Sequence, residues 1–311
     1  MVKDNEIKAQ VSPFAIREGE IKTFDGKDGY VSMNQIVHKI NIGHINVIHF
    51  AILDLVNEFE FITSRQLYQM LEIKGFDPKS QDKLNNKLEQ LVKSKILTRY
   101  YFTSDEGKGI YRIYCLEKMG KYLLNSKEID CKWQPSDNTK PVPMIKKRLA
   151  GNQTLIAYLR KVKAFDSYIV KPAITAKTAG KLFKASGGAV KLTKNNKSIQ
   201  FVFEVIRREQ DWEKKLIERM RLYKDFYENY VLGDSGFSSM PQLILVCEDE
   251  KHMAETFKEI VKNQVEIPQI KLYFTTDLRQ NKETLEETLV EFKLVDGKYR
   301  MENVELKLLG M

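Results

Sequence analysis

Residues 198–230 constrain this chain most, because they read as a buried strand running into a long amphipathic helix. Residues 199–206, Ile-Gln-Phe-Val-Phe-Glu-Val-Ile, are largely β-branched and aromatic, with one acid, Glu204, set among them. That composition suits a strand inside a sheet. Gln210, Asp211 and Trp212 then open a helix in which Leu216, Ile217, Met220, Tyr223 and Tyr227 recur at helical spacing. After a Gly/Ser loop, residues 242–247, Gln-Leu-Ile-Leu-Val-Cys, form a second apolar strand. Strands alternating with helices make an α/β layer.

The rest of that half fits the same layer. A helix is expected around Leu155, Ile156, Leu159 and Val162, then short strands at 167–170, 180–183 and 189–192, with Asn195 and Asn196 as a turn. A helix at 251–263, a strand at 270–274 and a hairpin of 289–295 and 299–304 around Asp296-Gly297 complete a mixed sheet.

The first half has a different period. Ile45, Ile48, Ile52, Leu55, Val56 and Phe59 lie on one helical face. Thr63 and Gln66 form a capping box that starts a second helix carrying Leu67, Met70 and Leu71. Ser80 caps a third, with Leu84, Leu88, Leu91 and Val92 on one side. The period then drops to that of strands at 96–102 and 110–115, joined by a glycine-containing tip, and a helix follows at 116–124. Helices, a β-ribbon and a trailing helix in this order are expected to make a winged helix-turn-helix. Four units follow: an arm or small hairpin at 1–44, the winged helix at 45–126, a Pro-containing linker at 127–150, and an α/β unit at 151–311.

Charge points to an anionic partner: among 311 residues the formal net charge is +9. On the third helix, the side opposite the leucines offers Lys79, Lys83, Asn86, Gln90 and Lys93, donors suited to phosphates and base edges in a major groove. Arg65 and the wing's Lys108 would reach the backbone. Asp82 and Glu89, on the flank of that helix, argue for an ordinary solvated face instead. From 138 to 203 the sole acid is Asp166, against a run that includes Lys146, Lys147, Arg148, Lys177, Lys181, Lys184, Lys191, Lys194 and Lys197. A surface built from these would bind DNA with steep salt dependence.

Several classes are excluded or disfavoured. No apolar run is long enough to span a membrane, and the first residues lack the apolar segment of a secretory signal. The three cysteines are dispersed and odd in number, which favours a reducing cytoplasm. The four histidines form no ligand-spaced set with them, so no metal site is expected. Gly187-Gly188 lacks the Gly-Lys-Ser/Thr of a phosphate-binding loop.

Two resemblances sharpen the reading. The order of a carboxylate-bearing strand, a helix and a second buried strand resembles the core of restriction-endonuclease-like nucleases. Residues 61–67 (Phe-Ile-Thr-Ser-Arg-Gln-Leu), the third helix, Ile96-Leu97 and residues 114–120 (Tyr-Cys-Leu-Glu-Lys-Met-Gly) resemble the replication-relaxation family of plasmids and integrative elements, over about residues 46–277. That resemblance implies a bacterial protein with a winged helix ahead of a nuclease-like domain. A nuclease of this kind needs an Asp on the preceding strand and Glu-x-Lys, because Mg²⁺ wants convergent carboxylates. Here Gly187-Gly188 occupies the Asp region, and Ile206 stands where the nucleases have Lys and the relaxation family another acid. Glu204 is left as a weak catalytic candidate, expected to pair with Arg207, Arg208 or a nearby lysine; Glu209, Asp211 and Asp166 are the acids that would have to join it. The expectation is an accessory double-stranded-DNA-binding factor in replication, relaxation or transfer, working beside other replication or transfer proteins. It has no cofactor, and needs Mg²⁺ only if it cuts. A winged-helix transcriptional regulator and a metal-dependent DNA endonuclease are the rival readings.

Overall fold

Side-chain capping sets several of the helix starts. β1 (Ile21–Phe24) is followed by α1 (Met33–Asn41), opened by Ser32, whose hydroxyl accepts from Gln35 N while the Gln35 carboxamide accepts from Ser32 N. α2 (Val47–Phe59) and β2 (Ile62–Thr63) lead to α3 (Ser64–Ile73), where Thr63 and Gln66 form the expected capping box. The Ser80 hydroxyl caps α4 (Gln81–Lys93) by accepting from Lys83 N at 3.2 Å. β3 (Leu97–Ser104), β4 (Gly107–Lys108), β5 (Ile113–Leu116) and α5 (Lys118–Asn125) close the first unit. Its sheet runs β1-β3-β5-β2, with β4 folded back on β3.

The computed structural model describes residues 11–104, 107–108, 111–161, 165–194, 197–282, 285–296 and 298–304. Part of the expected ribbon tip (residues 105–106 and 109–110), Val162 of the expected helix, the turn residues Asn195 and Asn196, and Gly297 lie outside the described residues. Within them the architecture mixes α-helices with antiparallel and mixed sheets. None of the described helices is long and apolar enough to cross a membrane.

The second unit begins inside the expected linker, with α6 (Val142–Lys161). Pro141 and Pro143 are compatible with that helix because its first turn has no intrahelical partner for their missing N–H groups. β6 (Phe165–Ile169), the hairpin β7 (Ala173–Ala176) and β8 (Lys181–Lys184), β9 (Ala189–Lys194) and β10 (Lys197–Val205) follow. Then come α7 (Trp212–Glu228), β11 (Gln242–Cys247), α8 (Glu250–Lys262), β12 (Leu272–Thr276), α9 (Leu285–Thr288), β13 (Val290–Val295) and β14 (Lys298–Asn303).

The large sheet has the order β14-β13-β12-β11-β10-β9-β6. β10, β11 and β12 are parallel; β6, β9, β13 and β14 pair antiparallel. Strand alternation gives each face its own core. Phe201, Phe203 and Val205 join a core that runs on through α6 into the first unit, whereas Val202 and Ile206 join Leu216, Met220 and Tyr223 of α7. The two units therefore share one hydrophobic core.

Hydrogen bonds tie that seam. Gln66 Nε2 donates to Leu149 O at 2.8 Å, and Asn152 Nδ2 to Phe61 O at 2.7 Å. The N-terminal arm crosses both units: the Tyr111 hydroxyl donates to Pro13 O at 3.0 Å, and the Ser12 hydroxyl donates to the Asp277 carboxylate.

Candidate nucleic-acid interface

α4 packs Leu84, Leu88, Leu91 and Val92 inward and turns its other side to solvent. A groove of about 310 Å³ lies along that side, lined by Asp77, Pro78, Lys79, Lys83, Asn86, Lys87 and Gln90. Four of the expected recognition residues thus share one surface, and Lys87 joins them. Its signal was its place one turn after Lys83 and one residue after Asn86.

The side chains differ in how free they are. The side chains of Lys83, Asn86 and Lys87 have no hydrogen-bond or ion-pair partner among the described residues. Lys79 is not on the helix; it precedes the cap at φ 65° and pairs with Asp77. Lys93 lies 3.7 Å from Glu89. Arg65 is exposed at the start of α3.

Gln90 is held from behind. His49 is buried beneath it, with Nδ1 3.2 Å from Asn46 N and 3.0 Å from Asn46 Oδ1, and Nε2 3.0 Å from Gln90 Oε1. Burial keeps that imidazole below its ordinary pKa, although the Gln90 bond pulls the other way. That contact engages one end of the Gln90 carboxamide from beneath and leaves the other end toward the groove. Glu89, one of the two acids on the flank of that helix, is bound by Arg99 at 2.7 Å. Burial pushes the Glu89 carboxyl upward, but Arg99 outweighs it and leaves it below the ordinary range.

The basic run from 138 to 203 is arranged differently. Lys146 is buried and ion-paired with Glu20, and its ammonium also donates to Ala15 O. It therefore leaves the set of surface cations. Glu60, at the end of α2, gathers Lys140 at 3.1 Å, Arg148 at 3.7 Å and Lys171. Burial raises the Glu60 carboxyl and those three cations more than reverse it, so it sits below its ordinary value. Burial likewise pushes the Lys171 ammonium down to about 8 against the pull of Glu60. Arg148 also donates to Val170 O at 3.1 Å, which turns it inward. Lys147 meets Glu209 at 3.2 Å, Lys177 meets Asp234 at 2.6 Å and Lys191 meets Asp166 at 3.3 Å. Lys181 and Lys184 remain exposed on β8, without an acid partner among the described residues. Lys108, Lys194 and Lys197 lie on described strand backbone, with side chains outside the described residues.

Glu204 lies at the floor of a cleft of about 570 Å³ between β10 and α7. Its Oε1 accepts from the Ser186 hydroxyl at 3.0 Å and meets Arg219 Nε at 3.3 Å. Its Oε2 accepts from the Tyr223 hydroxyl at 2.9 Å and from Ser186 N at 3.3 Å. Both oxygens are thus engaged by protein donors. The partner is Arg219, not Arg207 or Arg208. Strand alternation sends Arg207 away from Glu204, and it pairs with buried Asp277 at 2.8 Å. Arg208 binds Asp249 at 2.6 Å and Glu255 at 3.0 Å.

Two of the three acids that would have to join Glu204 are also engaged. Glu209 is held by Lys215 at 2.7 Å and by Lys147, and Asp166 by Lys191. Asp211 is exposed at the α7 N-terminus and makes no side-chain cap. The glycine pair has a steric reason. A Cβ at Gly187 would stand 2.7 Å from the Phe203 Cβ, and Gly188 has φ 88°, so neither position takes an aspartate without strain. Among the described residues no three His, Cys, Asp or Glu side chains converge as metal ligands.

Comparison of the chain with protein-family models, curated proteins and solved structures finds no match.

Proposed function

We propose that this protein binds duplex DNA through the outward face of α4. The first unit acts as a winged helix-turn-helix with α4 in the major groove, and Arg65 contacts the adjacent backbone. The second unit is a restriction-endonuclease-like scaffold in which Glu204 serves the fold rather than catalysis. With the resemblance to the replication-relaxation family, the role is that of an accessory factor in replication, relaxation or transfer of a mobile element.

One observation carries the reading: the side chains of Lys83, Asn86 and Lys87 stand together on an exposed helix face with no internal partner among the described residues. Two cations and an amide left unpaired side by side favour a polyanion with base edges. The order α2, α3, α4, β3, β5, α5 supports the winged-helix assignment.

The test is fluorescence anisotropy with a labelled duplex from the neighbourhood of the gene. Wild type is expected to bind at low salt, and a Lys83→Ala/Asn86→Ala/Lys87→Ala variant to bind at least ~10-fold more weakly. Equal binding by the two would refute the α4 assignment. Incubation of supercoiled DNA with the protein and Mg²⁺ or Mn²⁺ tests the scaffold assignment. Intact DNA is expected, and cutting that disappears in Glu204→Ala would overturn it.

A further inference from the structure

Among the described residues the large sheet ends at β14, whose outer edge pairs with no strand. An open edge is a template for another chain. Tyr299 and Met301 on β14 are 50% and 44% exposed, and Leu294, opposite Tyr299 on β13, is 63% exposed. Directly opposite residues share a face, so these three form an open apolar row. Beside it Phe257 of α8 stacks on Phe292 at 4.1 Å and meets Tyr299 at 4.8 Å.

Parity limits what this edge can accept. Two residues separate Val295 from Lys298, so that pair closes the hairpin by exchanging backbone hydrogen bonds, and bonded pairs alternate from there. Lys298, Arg300 and Glu302 therefore direct their N–H and C=O groups toward β13. Tyr299, Met301 and Asn303 direct theirs outward.

An antiparallel mate must set outward residues opposite outward residues. A twofold axis through Met301 satisfies this and places Arg300 of each copy opposite Glu302 of the other. An axis through Arg300 would oppose two guanidinium groups, and one through Glu302 two carboxylates. Like charges directly opposite destabilise a pair, so charge selects the Met301 register. Within one copy Glu302 Oε2 takes Lys293 at 2.8 Å, which leaves Oε1 for an arginine across the edge.

We propose that two copies of this chain associate edge to edge, β14 antiparallel to β14, with Met301 on the twofold axis. The two sheets become one, the apolar rows of the two copies meet, and two α4 faces are carried in one symmetric particle. The self-complementary Arg300/Glu302 pattern identifies the occupant as a second copy rather than an unrelated strand.

Sedimentation equilibrium of the full chain tests this with charge swaps. Wild type is expected to show a monomer–dimer equilibrium. Arg300→Glu and Glu302→Arg should each weaken it by roughly ten- to hundredfold, and the double swap should restore it. Circular dichroism melts of every variant establish that each is folded. A wild-type monomer at every concentration, indifference to both single swaps, or no rescue by the double swap would overturn the proposal. The DNA reading is separable, because the α4 variant should lose DNA while keeping the dimer.

Discussion

The face of α4 and the run from 138 to 203 look alike as strings of lysine and polar residues, yet they differ once folded. Along the run, Lys140, Lys146, Lys147, Arg148, Lys171 and Lys177 each meet a carboxylate from outside it, and Lys191 meets the run's own Asp166. On α4, Lys83 and Lys87 meet none among the described residues. Most of the run's described cations thus serve the fold, Lys181 and Lys184 being exceptions, whereas an unpaired cation is one that a partner can use. Glu60 makes the point: a single acid outside the run holds three of its cations across the seam between the units.

The largest expected effect that separates the two regions is on stability. Lys146→Ala strands Glu20, whose side chain is only 7% exposed. Removing one partner of a buried pair costs about 3–5 kcal/mol, readable as a lowered urea midpoint. An unchanged midpoint would erase the distinction at its clearest point.

Glu60→Gln comes next, at about 1–3 kcal/mol, because it leaves partly buried cations uncompensated. Its pH dependence has a definite sign. Glu60 is held below its ordinary 4.5 in the fold, so its contribution is present above that pH and fades as pH falls further. The variant should lose less stability than wild type on acidification through that window. A parallel loss in both would mean that the seam does not depend on this carboxylate.

Glu204→Ala should also destabilise, by about 1–3 kcal/mol, since it leaves Ser186, Tyr223 and Arg219 without their acceptor. A stability gain would instead mark Glu204 as a strained functional group. At the small end, Lys83→Ala/Asn86→Ala/Lys87→Ala should change the unfolding free energy by no more than about 0.5 kcal/mol, because these side chains hold nothing internal. A larger loss would show that α4 is structural on both sides.

Much of this was legible in the sequence wherever the cause is local. The Thr63–Gln66 box, the leucines of α4 and the apolar run of β11 each announce their element within a few residues. α1 was missed although Ser32 and Gln35 form the same kind of box, because a short helix burying only Ile36 has little apolar periodicity. The start of α6 is not separable from a linker in the sequence, because prolines near a helix start and prolines in a loop look alike. β7 was missed because Ala-Ile-Thr-Ala is too short to show alternation.

Non-local causes were not legible. Glu60 and Lys140 are 80 residues apart in the chain, and no pattern in either segment names the other. Glu204 and Arg219 meet only because α7 returns across β10. In the sequence the glycine pair shows only as a missing aspartate, whereas the contact that requires Gly187 comes from Phe203 on β10.

The most direct measurement is the salt dependence of DNA affinity, taken by anisotropy for three proteins side by side. Wild type should show a steep linear fall of log K with log salt. The Lys83→Ala/Asn86→Ala/Lys87→Ala variant should bind more weakly, with a slope shallower by about 2 for its two lost phosphate contacts. Lys177→Ala/Lys191→Ala, which removes cations already paired with Asp234 and Asp166, should keep nearly the wild-type slope. The reverse pattern, with the α4 variant unchanged and the paired-lysine variant flattened, would contradict the account.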